Sequence, residues 1–461
     1  MSLFAALLMA VIILILLRRN GLRAQYLSLF ALAAAMEMNN VAGCFVKLGG
    51  REIAYSDVAL LAASLAAVCY VISQRKVQRK QFLVSLLLIG AALVGIAHTA
   101  LWTPATKIID FRSSWDRYLF GLAGKQEAVI TLQTALMFGR LLLFLLNSYV
   151  VFRFEREDLY LAANFCKAFT KLHILFALGE ILTKYLLRSN VLTQLRDLLF
   201  GVGDNTYLGL QQRGEGIAIF GWTREASHLP EVMFFFIVLC VLTKDIKRQG
   251  LWILLAVAVM GLSMAFSALL YIGCLAILLL WVCAQRRNKK AVLALWAGII
   301  AFVGLCCILV ANDYYASRVV GFFRDAALVL SGKQTFAADM VTSAKVRLLG
   351  IVETWHGFCE RPLFGFGLGT AYCHSGVVSL LSNLGLVGTG LWMHYCLGCE
   401  KAGKRVFSLF AVVLLLPNIL EGKLGMLYAA HILLVIRLIT KFGLKERQMA
   451  VNESLGYYHH I

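Results

Sequence analysis

The stretch LWILLAVAVMGLSMAFSALLYIGCLAILLLWVCA, from Leu251 to Ala284, contains no charged residue and has a basic cluster on each flank. About 20 apolar residues suffice for a helix to cross the roughly 30 Å hydrocarbon core of a bilayer, so the stretch is too long for one crossing. Basic clusters favour the cytoplasmic side of a membrane, and here both flanks are basic. The stretch therefore predicts two helices joined by a tight turn near Phe266 and Ser267.

The rest of the chain has a similar composition. Hydrophobic residues make up 60% of the 461 residues, only 15% are charged, and the mean hydropathy is +0.78. A soluble protein of this length would be far more polar. The composition therefore predicts an all-α integral membrane protein, with residues 1–461 forming a single polytopic membrane domain.

The positive charge of the chain lies mostly between the apolar runs. There are 44 Lys and Arg residues against 25 Asp and Glu, which gives a formal net charge of +19. Such a charge can indicate nucleic-acid binding, but short basic clusters between apolar runs are typical of cytoplasmic helix ends, so no nucleic-acid partner is expected. An even number of crossings between successive clusters gives about thirteen spans, with the amino terminus outside. The predicted spans are residues 2–17, 24–46, 54–73, 82–103, 129–150, 159–186, 230–243, 251–266, 268–284, 291–311, 374–396, 406–417 and 424–441.

Two connections predicted to lie outside, residues 188–229 and 312–373, are much longer than the others. Long loops often carry function, so a large substrate site is expected on this side. The first loop opens with Asn190 as the predicted N-cap of a helix from Val191. In the second, apolar residues recur at steps of three and four, which predicts an amphipathic helix along the membrane surface. These residues are Val341, Ala344, Leu348, Ile351, Trp355 and Phe358.

Several motifs of soluble and metal-dependent chemistry are missing from the sequence. There is no GxxxxGK[ST] phosphate loop, no HExxH and no DxD. ATP hydrolysis, zinc proteolysis and metal-dependent transfer from a nucleotide sugar therefore lose support. The chain has twelve cysteines, and for Cys359 and Cys373, both predicted on the oxidising side, a disulfide and free thiols both stay open. No cofactor and no metal are expected.

The two outside loops carry more arginine than the positive-inside rule favours. Two interpretations stay open: an anion-binding site, because guanidinium groups hold phosphates in a planar fork, or solvated loops with ordinary ion pairs. The cationic and imidazole residues of these loops are Arg213, Arg224, Arg318, Arg324, Arg347 and Arg361, together with His228, His356 and His374.

The stretch RLLGIVETWHGFCERPLFGFGLGTAYCHSGVVSLLSNLGLVGTGLW, from Arg347 to Trp392, resembles the signature region of the bacterial O-antigen polymerase and O-antigen ligase superfamily. In that family an arginine opens a periplasmic helix, a P-x-x-G-x-G-x-G segment follows, and a histidine precedes a span that contains G-x-x-G. The matching positions are Arg347, then Pro362, Gly365, Gly367 and Gly369, then His374, then Gly385 and Gly388.

Two other segments are similar to the family. RGEGIAIFGWTREAS, from Arg213 to Ser227, resembles its second arginine-bearing loop. LSMAFSALLYIG, within the predicted hairpin, resembles a serine-containing hairpin, although Ala268 replaces the arginine common there. The histidine of ligases is usually followed by asparagine, and Ser375 in its place favours a polymerase.

The resemblance implies a multi-pass enzyme of the bacterial inner membrane with its active site facing the periplasm. It implies transfer of a glycan, with inversion, from undecaprenyl diphosphate to an acceptor glycan hydroxyl, without metal or nucleotide. The general base would be His374, with Arg347 beside it in the catalytic set. The resemblance further implies membrane lipid as surroundings and a chain-length regulator protein as a candidate partner. The residues expected to bind the lipid diphosphate are Arg213, Arg224, Arg318 and Arg324.

Other interpretations remain. A ligase would transfer the lipid-linked glycan to lipid A-core, and a polysaccharide transporter or flippase would line a path with intramembrane charges. His374 could simply cap the following helix, and the three glycines could simply permit a tight turn. The charged and imidazole residues expected within the membrane should face a cavity or one another, and they are Glu37, Arg140, Lys167, Lys171, His173 and Glu180.

Overall fold

Most of the described chain is helical. The computed structural model describes residues 3–48, 51–74, 78–102, 130–200, 212–213, 216–223, 225–263, 267–286, 313–331, 343–371, 373–397, 404–420 and 429–441. The predicted span 291–311 lies outside these residues, as does much of the first long loop.

Two short antiparallel strand pairs interrupt a series of helices. The helices are α1 Leu3–Leu17, α2 Leu22–Met38, α3 Tyr55–Gln74, α4 Arg79–Leu101, α5 Leu132–Val151, α6 Arg156–Leu186, α7 Val191–Phe200, α8 Leu229–Leu242, α9 Gly250–Leu262, α10 Ser267–Arg286, α11 Asp313–Leu330, α12 Ser343–Glu360, α13 Gly376–Leu397, α14 Lys404–Phe410, α15 Pro417–Leu420 and α16 430–441. A short 3₁₀ helix, Ala226–His228, precedes α8, and a π-helical turn, Ala411–Leu415, joins α14 to α15. The strands are β1 Cys44–Leu48 with β2 Arg51–Ala54, and β3 Gln212–Arg213 with β4 Gly216–Ile217.

Four of these helices, α3, α4, α5 and α13, are long and apolar enough to cross a membrane. Several others are equally apolar but shorter, such as α8 with 14 residues and α9 with 13. The predicted helical class is confirmed in this form. Helix length within the described residues does not support the count of thirteen spans, which stays a prediction.

The predicted span 24–46 ends early. Helix α2 stops at Met38, where Asn39 donates from its amide to the Ala35 carbonyl at 2.8 Å and Asn40 has a φ of 43°. A residue with positive φ cannot continue a right-handed helix. Cys44 therefore begins strand β1 instead of lying within a span.

The long apolar stretch forms two helices, as predicted. Helix α9 ends at Leu262 and α10 begins at Ser267, while the predicted turn residue Phe266 lies outside the described residues. The Ser267 hydroxyl donates to the Ser227 carbonyl at 2.7 Å, which fixes the start of α10 beside the end of the arginine-bearing loop.

Side-chain contacts divide the bundle into two ends. At one end Arg361 donates to Thr99 and Trp102, near the last residues of α4, and this end also contains His374. At the other end Arg437 donates to the Phe152 carbonyl at 2.6 Å. We call these the histidine end and the basic end. The basic end contains Arg23, Arg79, Lys80, Arg153, Arg156 and Arg437.

Helix α13 is interrupted near its middle. Gly385 has a φ of 65° and a ψ of −173°, which leaves neighbouring backbone groups without helical partners. Residues 362–369, which we call the glycine loop, supply those partners. Phe366 N–H donates to Ser382 O at 2.8 Å, and Leu386 N–H donates to Pro362 O at 2.7 Å.

The glycine loop fits closely between α4 and α13. A Cβ on Gly365, whose φ is 68°, would lie 2.5 Å from Ser382 O, and one on Gly95 would lie 2.5 Å from Phe364 O. Gly367 faces Ile96 of α4 with similar closeness. The positive φ of Gly365 and Gly367 and the protein backbone close to both agree with a tight turn that packs between the two helices.

We expect Gly385→Ala to destabilise the protein by at least about 2 kcal/mol, because the strained φ alone has that cost. The added Cβ would also overlap the Leu363 carbonyl. Thermal unfolding of the purified protein, followed by tryptophan fluorescence, measures the effect. Gly390→Ala is the matched control in the same helix, since no heavy atom lies within 4 Å of its Cβ position. Equal stability of the two variants would contradict this account of the interruption.

Candidate functional site

His374 lies at the histidine end, immediately before α13, and is half-buried. The residue after it forms the helix cap: the Ser375 hydroxyl accepts from Val378 N–H at 3.3 Å, and its carbonyl accepts from Ser379 N–H at 2.9 Å. The capping role considered for His374 therefore belongs to Ser375. His374 is positioned by the cap.

The segment before His374 is held from α13 itself. The Asn383 side-chain oxygen accepts from Thr370 N–H at 3.1 Å and from Ala371 N–H at 3.3 Å, while its amide donates to Ala371 O at 2.9 Å. Cys373 N–H donates to the Ser379 hydroxyl at 3.2 Å. The backbone on both sides of His374 is thus fixed by hydrogen bonds.

Cys373 and Cys359 are both free thiols, so the structure contains no disulfide between them. Cys373 is buried and Cys359 is exposed. Burial raises the pKa of the Cys373 thiol, while hydrogen bonds from Ser379 and the backbone act in the opposite direction. The neighbour of His374 is therefore a neutral thiol near pH 7.

An apolar crevice of about 220 Å³ begins beside Ser375. It is bordered by α11, α12, the first turn of α13 and α15, and Ser375 is the one polar residue among the described residues that line it. A volume of this character suits a hydrocarbon chain. The lining residues are Ala326, Val329, Leu348, Ile351, Val352, Ser375, Val377, Val378 and Ile419.

Three of the predicted arginines belong to the helices that form the crevice. Arg347 precedes the lining residue Leu348 on α12, while Arg318 and Arg324 lie on α11. The Arg324 side chain is 69% exposed, with its Nε 3.7 Å from a carboxylate oxygen of the buried Asp325. The side chains of Arg318 and Arg347 lie outside the described part of the structure. The helices that carry these positions therefore pack around one crevice, next to the start of α13, although neither the three arginines nor His374 are among the residues that line it.

The other two predicted arginines lie on the first loop. Arg213 is on strand β3, with its side chain not among those described, and Arg224 lies outside the described residues. The loop reaches the histidine end through the Ser227–Ser267 contact. No described contact brings either arginine to the crevice, so their role in binding stays a prediction.

A buried polar cluster anchors this first loop to α6. Glu180 accepts from Gly221 N–H at 2.6 Å and Phe220 N–H at 3.1 Å, and from the Lys184 ammonium at 2.5 Å. Thr193 of α7 donates to the same carboxylate at 3.0 Å. The Glu180 and Lys184 side chains are 1% and 2% exposed. One carboxylate therefore ties together α6, α7 and the loop.

His173 is a second anchor for the same loop. Its Nε2 accepts from Trp222 N–H at 2.8 Å, so the proton of the neutral ring lies on Nδ1, which is 3.1 Å from the Asn39 side-chain oxygen. The ring also stacks on Trp222 with centroids 5.2 Å apart. Trp222 is therefore held within the fold by His173.

The remaining charges expected within the membrane also have protein partners. Arg140 pairs with Asp57 at 2.6 Å, and Lys167 pairs with Asp245. Glu37 accepts from Ala430 N–H, and the Lys171 ammonium lies 5.3 Å from the centre of the Trp252 ring. Lys167 and Lys171, expected to face a cavity or other charges, therefore each have a partner within the protein.

Arg361, which the sequence grouped with the other outside cations, has a structural role. Its guanidinium donates to the Thr99 hydroxyl at 3.0 Å and to the Trp102 carbonyl, and it lies 5.6 Å from the Phe366 ring centre. It therefore joins the carboxyl end of α4 to the glycine loop. Arg196, which was not predicted to have a role, is similarly buried between Asp197 and the Thr223 carbonyl.

Comparison with protein-family models, with curated proteins and with solved structures found no match to this chain. Among the described residues there is also no group of three or more His, Cys, Asp or Glu side chains placed to hold a metal ion.

Sequence reasoning missed two determinants of the site. Asn383 was not singled out, because its partners Thr370 and Ala371 lie thirteen and twelve residues upstream and across a chain reversal. The apolar crevice was not predicted either, because it depends on how α11, α12 and α13 pack. A signal for Asn383 existed in its position: an amide in an apolar helix usually needs specific partners.

We expect Glu180→Met to destabilise the protein by about 3–5 kcal/mol, because it leaves the Lys184 ammonium buried and uncompensated. The double variant Glu180→Met/Lys184→Met removes that charge and should recover part of the loss. Recovery should be incomplete, since Phe220 and Gly221 still lose an acceptor. Thermal unfolding measures both variants. If the double variant were no more stable than the single one, the ion pair would not be the dominant contribution.

Proposed function

We propose that this protein is a multi-pass glycosyltransferase of the bacterial inner membrane that polymerises a surface polysaccharide. Glycan would pass from an undecaprenyl diphosphate carrier to the hydroxyl of an acceptor glycan. The observation that carries the proposal is the placement of a half-buried His374 ahead of a capped helix, one residue before Ser375, which lines an apolar crevice formed by arginine-bearing helices.

The proposed topology has about thirteen spans, with the histidine end facing the periplasm. Support comes from the separation of charge between the two ends of the bundle, because the basic end carries the clusters that the positive-inside rule assigns to the cytoplasm. Residues 188–229 and 312–373 would then both lie on the periplasmic side with His374.

The donor is an amphipathic lipid, and the site offers an environment for each of its parts. The apolar crevice suits a segment of the isoprenoid tail. Arginines at positions 318, 324 and 347 suit the diphosphate, because guanidinium groups stay charged and donate in pairs. The positive end of the α13 dipole, at its capped amino terminus, favours the same anion.

The proposed reaction is a single displacement. His374 accepts the proton of the acceptor hydroxyl while that oxygen bonds to the anomeric carbon of the donor sugar. The bond from this carbon to the diphosphate breaks on the opposite face, which inverts the configuration. The lipid diphosphate leaves with the bonding electrons, and arginine cations stabilise the charge that develops on it.

A ligase is the second candidate function, and one observation is compatible with it. Ser375 replaces the asparagine usual in ligases, yet Ser375 acts here as an N-cap, and asparagine is an equally good capping residue. The same local structure would therefore serve both enzymes. For a transporter no such observation exists, because the described charges expected within the membrane have protein partners instead of lining a path.

Deletion of the gene in its native host tests the proposal. We expect surface polysaccharide to lose all chains longer than one repeat unit, as seen by gel electrophoresis, because only the joining of repeats is removed. Accumulation of long lipid-linked chains that are not attached to core would identify a ligase. Unchanged polysaccharide would contradict both.

In the complemented deletion strain we expect His374→Ala to reduce polymer formation by about a hundred- to ten-thousandfold, the usual contribution of a general base. The protein should still insert in the membrane at normal levels. His356→Ala is the matched control, since His356 is exposed on neighbouring α12. Normal long-chain polysaccharide with His374→Ala would remove this residue from the mechanism.

A further inference from the structure

A second cavity, of about 360 Å³, lies at the basic end of the bundle. It is formed by the first turn of α4, the carboxyl end of α5, the last turn of α13 and the carboxyl half of α16. Helix α13 joins this cavity to the histidine end, and its 22 residues correspond to roughly 30 Å at 1.5 Å per residue. The cavity is therefore separate from the crevice beside His374.

The lining of this cavity is strongly cationic. Among the described residues that form it, three are basic, namely Arg79, Lys80 and Arg437, and none is acidic. Gln78, Gln81 and Thr440 add neutral polar groups. A cavity of this composition favours an anion.

Arg437 is held in a fixed position. It is 5% exposed, and its guanidinium donates to the Phe152 carbonyl at 2.6 Å and to the Thr440 hydroxyl at 3.4 Å. Phe152 is the C-cap of α5, where the helix dipole is negative, so the cation is stabilised at this place. One charge of the cavity is therefore preorganised before any ligand binds.

Arg79 and Lys80 occupy the first turn of α4, where a helix dipole disfavours cations. The first turn of α4 has no acidic residue, and the N-cap Gln78 makes no side-chain capping bond. The cavity is thus lined by three cations, Arg79, Lys80 and Arg437, and by the amino terminus of α4. Their mutual repulsion would be relieved by a bound anion.

Apolar surface continues from the cavity along α4. Phe82 and Leu83, the residues after Gln81, are 51% and 57% exposed, and Leu86 and Leu87 one turn further are 48% and 51% exposed. A ligand with a charged head and hydrocarbon chains could place its head in the cavity and its chains along these residues. A free anion would not use this surface.

We propose that this cavity binds the phosphate-bearing headgroup of an anionic glycerophospholipid, whose acyl chains lie along the exposed face of α4. The basic end would take this lipid from the membrane leaflet next to it. The site does not depend on the proposed transferase activity, because it lies at the opposite end of the bundle.

Native mass spectrometry of the purified protein with defined lipids tests the proposal. We expect the protein to retain phosphatidylglycerol in preference to phosphatidylcholine. The double variant Arg79→Gln/Lys80→Gln should weaken phosphatidylglycerol binding about 30-fold, because each cation that is removed weakens it roughly fivefold. Inorganic pyrophosphate at millimolar concentration should not displace the lipid.

The control variant Arg18→Gln/Arg19→Gln removes two exposed cations at the same end, outside the cavity, and should bind phosphatidylglycerol as the unmodified protein does. Equal weakening by both double variants would indicate general surface attraction and overturn the site. Displacement by pyrophosphate would indicate a soluble phosphate as ligand. Lack of preference in the unmodified protein would overturn the proposal without any variant.

Discussion

The pairing of backbone groups freed by the interruption of α13 is the constraint on which the arrangement of the histidine end depends. In an apolar environment an unpaired N–H or C=O costs several kcal/mol, so a helix can break only where another segment supplies partners. The glycine loop does this, with bonds from Phe366 to Ser382 and from Leu386 to Pro362. Because the loop is fixed there, the segment between the loop and His374 is held in one position by its hydrogen bonds to Asn383 and Ser379. The position of His374 is therefore a consequence of the break at Gly385.

Local patterns in the sequence predicted those parts of the fold that local forces determine. The start of α7 at Val191 and the two helices of the long apolar stretch follow from hydrophobic runs and capping residues, and both are observed. The early end of α2 and the interruption of α13 were not predicted. Each results from backbone conformations, at Asn40 and Gly385, that only tertiary partners make favourable. In the candidate site, His374 was singled out through the family resemblance, and its role stays a prediction, whereas the crevice depends on the packing of helices and could not be predicted.

The charged residues of this apolar sequence divide into buried ones that hold the fold together and exposed ones that are accessible to a ligand. The carboxylate of Glu180 pairs with Lys184 and with backbone N–H groups, and it thereby holds the first loop in place. Arg361 similarly joins α4 to the glycine loop. Sequence position alone does not separate such residues from those available to a ligand, because both are cations or anions next to apolar runs. Burial separates them: Arg361 is 9% exposed, whereas the side chain of Arg324 on α11 is 69% exposed.

This separation bears on the choice between a transferase and a transporter. Transport of a charged glycan carrier through the bundle would require charges along a path between the two ends. Among the described residues, the charges expected within the membrane instead have protein partners, as in the pairs of Arg140 with Asp57 and of Lys167 with Asp245. Of the cations that remain accessible, Arg324 lies on α11, which helps to form the crevice, and Arg79 and Lys80 line the second cavity at the other end. A lipid with an anionic head suits such a rim, because its head meets the cations while its chains stay in the bilayer. The charge distribution therefore favours chemistry on lipid-linked substrates at the membrane surface.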